Sequence, residues 1–130
     1  MSKFSTEELD YLTGDGHLGR LATIDEHGVP HVVPLGWGYN PQLDTVEIGG
    51  RNAVEFTASR KVRNVLANPH VAFVVDDVLP PFRPRAVMVR GTAEIIQSTA
   101  EDGSVTALIR ITPTEIISWG LNTSAEAPGT

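Results

Sequence analysis

The stretch HLGRLATIDEHGVPHVVPLGWGY, residues 17–39, reads as a β-hairpin, and the rest of the chain is read outward from it. His17 to Asp25 alternates in part, and Glu26-His27-Gly28 supplies a turn whose glycine can take positive φ. Val29 to Tyr39 is then the returning strand. One of its faces carries His31, Val33, Leu35, Trp37 and Tyr39; the other carries Pro30, Val32, Pro34, Gly36 and Gly38. Prolines within a strand imply an edge or a bulge, and glycines imply close approach of something to the backbone. A bent strand at a barrel corner fits this pattern. So does a flat ring lying against a low-profile surface, and the two readings are compatible.

The next informative run, GGRNAVEFTASRKVRN, spans residues 49–64 and holds four of the ten Lys and Arg residues in a chain of net charge −6. Apolar positions 54, 58, 62, 65 and 66 have helical spacing, which predicts one helix with Arg60, Arg63 and Asn64 on the opposite face and Lys61 at its flank. Thr57 and Ser59 precede the basic residues and suit either a helix cap or an oxyanion. A helix start with basic side chains around it binds phosphate readily. The same spacing also suits a solvated face paired with carboxylates.

At 130 residues the chain is long enough for one core, and residues 1–121 are expected to form one domain with a disordered tail at 122–130. FSTEEL, residues 4–9, opens a short helix: Ser5 and Glu8 have capping-box spacing, and Phe4 and Leu9 have staple spacing. Thr45 to Gly49, Val71 to Val78, Arg85 to Ile96, Val105 to Thr112 and Glu115 to Gly120 read as strands. Val71 to Val78 reads as buried on both faces, Leu79 to Pro84 as a stiff loop, and Ser98 to Ser104 as mobile. The expected fold is mainly β: a six- to seven-stranded barrel with an N-terminal helix and one helix after the third strand.

Several chemistries are set aside. There is no cysteine, so disulfides and thiol catalysis are excluded. His17, His27, His31 and His70 lack metal-site spacing, and no serine has an evident histidine partner. Asp76 and Asp77 are adjacent in a strand and face opposite ways. No apolar run reaches membrane-spanning length, and eight aromatics on an acidic chain do not make a single-stranded nucleic-acid groove. A cytoplasmic protein with one anion-binding corner beside a flat strand face remains. That suits a phosphorylated aromatic cofactor, so no catalytic side chain and no metal ligand are assigned.

The runs GRLATID-x-x-G-x-PHVVP (19–34), SRKVRNVLANPHVAFVVDDV (59–78), PRAVMVRGTAEI (84–95) and IRITPTEIISWGL (109–121) resemble the pyridoxamine-phosphate-oxidase-like proteins with an FMN-binding split barrel, a Greek-key fold. With FSTEELDYL, they are most similar to the short branch of F420-dependent enzymes. The resemblance implies a flavin or deazaflavin oxidoreductase, with the cofactor phosphate by the segment Lys61-Val62-Arg63-Asn64 and with Arg60 beside it. It also implies that the tricyclic ring lies along Arg20 to Thr23 and along Pro34, Leu35, Gly36 and Trp37. A homodimer with the cofactor site at the subunit interface is implied too. A small barrel is filled by its own side chains, so the ring is expected outside it under a second copy, with the aromatic and rigid pieces Trp37, Trp119 and the Pro80-Pro81-Phe82 loop near that seam. Coenzyme F420 is expected ahead of FMN, chiefly because the SRKVRN run and the closing ISWGL resemble the F420-associated set, and secondarily because the positive run is longer than a single phosphate needs. The expected reaction is hydride transfer to a small conjugated organic substrate. A non-catalytic carrier of flavin or F420 is the alternative.

Overall fold

The computed structural model describes residues 1–14, 16–50 and 52–121. Arg51 of the basic run and the expected tail over 122–130 lie outside these. The order is α1 (Thr6–Gly14), β1 (Gly19–Ile24), β2 (Pro30–Leu35), β3 (Gly38–Asn40), β4 (Thr45–Gly49), α2 (Ala53–Thr57), α3 (Arg60–Ala67), β5 (His70–Leu79), β6 (Arg83–Thr99) and β7 (Val105–Trp119). Among the described residues, no helix is long and apolar enough to cross a membrane.

The seven strands form one antiparallel sheet in the order β2-β1-β5-β6-β7-β4-β3. Its two outer strands, β2 and β3, are consecutive in the chain, and only Gly36 and Trp37 separate them. Laid flat, the six inter-strand steps would put those edges about 29 Å apart. Three Cα–Cα steps, from Leu35 to Gly38, span at most about 11 Å. The sheet must therefore curl until its edges meet at one corner. Beyond that corner it stays open, and this makes it a split barrel.

Local sequence explains most of the elements. The Glu8 backbone N–H donates to Ser5 Oγ at 3.1 Å, and the Ser5 N–H donates to Glu8 Oε1 at 2.7 Å, closing the capping box of α1. The hairpin β1–β2 turns on Gly28, at φ 79°, while Asp25 Oδ1 accepts from the N–H groups of His27 and Val29. Pro30 and Pro34 fall on an edge strand, where no ladder bond is lost to them.

Several expectations are corrected. The returning strand breaks at Gly36 and Trp37 into β2 and β3, so the basic segment follows the fourth strand. That segment is two helices with Ala58 and Ser59 between them: Phe56 turns inward at 5% exposure, while Val54 and Leu66 are 79% and 70% exposed. The strands expected on either side of Pro113 are one, because Pro113 lies opposite Gly91 beside a bulge, where Thr114 is the extra residue of β7 and lets the strand pass a residue without an N–H. Residues 98–104 close a hairpin, with Ala100 N–H donating to Ser104 O at 2.8 Å. The stiff loop shortens to Pro80–Phe82 because β5 and β6 extend to Leu79 and Arg83.

The core is the barrel interior. Leu21, Val46, Ile48, Phe73, Val75, Val87, Val89, Ile109 and Ile111 are each at most 1% exposed, and each such side chain contributes about 1.5–3 kcal/mol on burial. In β5, Val71, Phe73 and Val75 are buried, whereas Ala72 and Val74 are only half-buried, so the strand alternates and does not bury both faces. Phe56, Val62 and Val65 bring α2 and α3 onto the core, and Tyr11 and Leu12 bring α1.

Asp76 and Asp77 diverge as expected. Asp76 pairs with Arg20. Asp77 takes two hydrogen bonds from Arg85, at 2.9 and 2.6 Å, and one from the Tyr11 hydroxyl at 2.9 Å. The Arg85 hydrogen bonds hold the Asp77 carboxyl below its usual range against the opposing effect of burial. A depressed carboxyl stabilises the fold above the ordinary carboxylate pKa and loses that contribution as pH falls through the folded value. Asp77→Asn should therefore be less stable than the parent at pH 7, with the gap narrowing below about pH 4. Urea unfolding across that range, followed by circular dichroism, checks this; a constant gap would contradict it.

Candidate functional site

Thr23 and Asn64 anchor the site. Thr23 sits on the inward face of β1, in register with His31 of β2. Asn64, expected on an outer helix face, is instead 3% exposed, and its Nδ2 donates to Thr23 Oγ1 at 3.0 Å. That hydrogen bond pins α3 across β1 and decides which way its basic residues face. A buried amide needs such a partner, and no local sequence spacing reveals that it lies 41 residues away.

Between α3 and β2 lies a cavity of about 210 Å³, lined by Thr23, His31, Val32, Val33, Arg60, Lys61 and Asn64. His31 Nε2 lies 2.9 Å from Asp25 Oδ2. That contact, followed by the N–H groups of Val29 and His27, lowers the Asp25 carboxyl to about 2. Asp25 is thus a carboxylate at neutral pH, and it holds the imidazole at the cavity wall.

Lys61 also lines a second cavity, of about 330 Å³, with Leu35, Gly36, Trp37, Gly38, Glu47, Ile48, Gly49, Gly50 and Phe56. The Lys61 ammonium stands 5.2 Å from the centre of the Phe56 ring. Gly50 is required beneath that ring, since a Cβ there would lie 2.5 Å from Phe56. A Cβ at Gly36 or Gly38 would meet nothing within 4 Å, so the corner exposes backbone to open space. Ile48 and Gly49 extend past the end of β3 and face the opening without a partner strand on that side. Burial raises the Glu47 carboxyl, but hydrogen bonds from Arg110, Asn40 and Thr45 outweigh this and lower it. Glu47 therefore stays ionised, with its charge met by Arg110 Nε at 2.8 Å.

Trp37 is rigidly held. Its indole N–H donates to His17 O at 2.9 Å, and its ring meets Phe73 edge-on at 5.5 Å. Gly19 makes room for both rings, because a Cβ there would come within 2.3 Å of Phe73 and 3.1 Å of Trp37.

The charges divide into two sets. Arg20, Arg85, Arg90 and Arg110 each pair with a carboxylate. Among the described residues, Arg60, Lys61 and Arg63 have no carboxylate within 4.0 Å. In a protein of net charge −6, α3 thus gathers three such cations within four residues.

The structure thus brings Thr23, Arg60, Lys61 and Asn64 into one chamber and Leu35, Gly36, Trp37 and Lys61 into the next. Arg20 and Pro34 are register partners on the outer face of the sheet and line neither. Thr57 Oγ1 donates to Ala53 O at 2.9 Å and Ser59 Oγ to Phe56 O at 2.6 Å, so both hydroxyls close the α2–α3 junction beside the site. Sequence reasoning did not name His31, Val32 and Val33 of the first chamber, or Gly38, Glu47, Ile48, Gly49, Gly50 and Phe56 of the second. The strand alternation did place His31 and Val33 on the face of Leu35 and Trp37, and this was the available signal.

The family model described as pyridoxamine 5'-phosphate oxidase matches residues 5–120. A relative from Streptomyces rimosus subsp. rimosus, a 5a,11a-dehydrotetracycline/5a,11a-dehydrooxytetracycline reductase, is 41% identical over 123 residues, which are 91% of this chain and 84% of that one. A conserved hypothetical protein of Mycobacterium tuberculosis has a similar structure, with TM-score 0.71 and 19% identity over 92% of this chain and 86% of that one. A solved structure named F420 reductase matches with TM-score 0.61 and 22% identity, over 83% of this chain and 94% of that one. The two structures share the split-barrel fold, and the match over residues 5–120 goes further: this chain belongs to the pyridoxamine 5'-phosphate oxidase family.

Proposed function

We propose that this chain is a cytoplasmic, F420-dependent reductase that transfers hydride to a small conjugated organic substrate. The observation that carries the reading is the pair Arg60 and Lys61, without a carboxylate partner among the described residues, continuous through Lys61 with a cleft walled by glycines. The first chamber offers an anion two cations, the Asn64 side chain and an imidazole. The second offers a ring the exposed backbone at Gly36, Gly38 and Gly49. The residues therefore fit a phosphorylated tricyclic cofactor, which supplies the hydride when bound. Lys61 and Arg60 hold the anionic end, Trp37 and Leu35 fix the wall beside the ring, and the barrel core keeps water from the inner side. The reductase from S. rimosus supports the reaction class, and the fold shared with an F420 reductase supports the cofactor class.

F420 is favoured over FMN on charge. It carries a phosphodiester and a polyglutamate tail, and the exposed cations Arg60 and Arg63 extend the positive surface beyond the chamber. Titration of the apo-protein with each ligand at low and high salt separates them. The expected result is tighter F420 binding that weakens steeply with salt. FMN binding without F420 binding would reassign the cofactor while leaving the reaction class.

A second copy of the chain completes the site in this reading. On the outer sheet face, Pro34, Arg20, Val74, Met88 and Ile117 stand in one register row across β2, β1, β5, β6 and β7. Four of those five are apolar, and Val32 beside them is 69% exposed, the kind of surface a partner covers. Sedimentation should give a dimer; a monomer with F420 affinity independent of protein concentration removes this part of the proposal.

A further inference from the structure

His31 stands opposite Thr23 across β1 and β2, and such partners put their side chains on one face of a sheet. That face is the one α3 crosses, because Asn64 of α3 bonds to Thr23. The imidazole therefore belongs to the wall of the first chamber, which Arg60 and Lys61 line from α3. Asp25 stands behind the ring, its Oδ2 2.9 Å from His31 Nε2. A carboxylate only accepts, so Nε2 carries a proton whether the ring is neutral or charged. Among the described residues Nδ1 has no hydrogen-bond partner, and it is the nitrogen left for a ligand. Glu26 and His27, the other titratable groups of that turn, lie 3.5 Å from each other and do not line the chamber.

We infer that His31 binds the oxyanion held by Arg60 and Lys61, and that its imidazole takes a proton from solvent as that anion enters the chamber. The inference rests on the reading of this chamber as the seat of the cofactor's anionic end. With one proton on the ring, Nδ1 presents a lone pair, which repels an oxyanion. With two, Nδ1 donates a charge-assisted hydrogen bond. Arg60 and Lys61 oppose a third positive charge beside them until an anion offsets theirs, whereas Asp25 favours that charge throughout. Proton and anion thus raise each other's affinity, and by the same factor. Binding is tightest at acid pH, where the ring is already charged. It weakens as pH rises through the range in which histidine titrates.

The test uses sulfate, whose charge is fixed near neutral pH, unlike that of a phosphate monoester, which loses its second proton at about pH 6. Sulfate is titrated into the full chain at constant ionic strength, and NMR follows the His31 ring and the Asn64 side-chain amide. Above neutral pH it should carry the His31 signals towards their protonated positions and leave those of His27 in place. The affinity should fall by about tenfold between about pH 5.5 and 8.5, the lower end for one hydrogen bond to a charged group. His31→Gln keeps an amide that can donate to Asp25 but does not titrate, so its affinity should vary less than about twofold over that range. The His31 side chain is 38% exposed, so this exchange does not disturb the core. His27→Gln should follow the parent. Sulfate that moves neither signal, an Asn64 shift without protonation of His31, or a His31→Gln protein with the parent's pH profile would overturn the inference. F420 fluorescence titrations on the same proteins keep the two readings apart. F420 that binds without a proton gained at His31 removes this inference alone. Sulfate that protonates His31 in a protein unable to bind F420 keeps it and loses the cofactor assignment.

Discussion

Gly91→Ala should lower the melting temperature by roughly 10 °C, while Gly49→Ala, another strand glycine, should leave it nearly unchanged. A Cβ at Gly91 would lie 2.2 Å from the carbonyl oxygen of Thr112 and 3.2 Å from Pro113 Cα. Both are backbone atoms of the paired strand, so neither can swing away as a side-chain tip would. Pro113 is itself fully buried, and the register shift at Arg90/Gly91 is what lets a residue without an N–H sit inside β7. Relieving the clash means parting β6 and β7 at the middle of the longest ladder in the sheet. Overpacking of this kind costs about 3 kcal/mol at the upper end of its usual range. At Gly49, by contrast, a Cβ would meet only Ala107 O at 3.8 Å, an ordinary contact. Thermal denaturation of the two variants side by side checks the contrast, and a Gly91→Ala protein that melts with the parent would show that the bulge has slack.

Lys61→Ala should weaken F420 binding by tenfold or more. Among the described residues, Lys61 is the one basic side chain that lines both the chamber of Arg60 and Asn64 and the cleft at the Gly36 corner. A charge-assisted hydrogen bond to a phosphate contributes roughly 1.5–3 kcal/mol, which is about ten- to 150-fold in affinity. The lysine is half-buried against Phe56, so its charge is screened less than that of exposed Arg63. Arg63→Ala should consequently cost less than Lys61→Ala and lose its effect first as salt rises. Fluorescence titration of F420 at two ionic strengths provides the comparison. Equal, small losses at both positions would mean that α3 carries only surface charge.

The difference between what could be read in the chain and what could not follows from the range of the interactions. The capping box of α1, the Gly28 hairpin and β4 are written in neighbouring residues, and each was legible. The helix of the basic run was not, because apolar spacing counted Val54 and Leu66 as inward while Phe56 held the inward place. Asn64 looked like a surface residue until its partner across the fold, Thr23, was known. Pro113 looked like a strand break because its compensation sits 22 residues earlier, at Gly91. In the site, the basic residues and the glycine corner announced themselves by composition. His31 and Phe56 enter it through register and helix packing, which composition does not record.

The corner where β2 passes into β3 has a consequence for how this fold diversifies. Strands inside a barrel are bound by ladders on both sides, so a change in one residue is felt by two neighbours. Gly36, Trp37, Gly49 and Gly50 border an opening with no ladder across it, and Gly36 points at nothing. Substitutions along such a seam alter what can lie in the opening without shifting any strand's register. Descent with modification can thus retune ligand and substrate there, one residue at a time, while the other side of the barrel goes on folding as before.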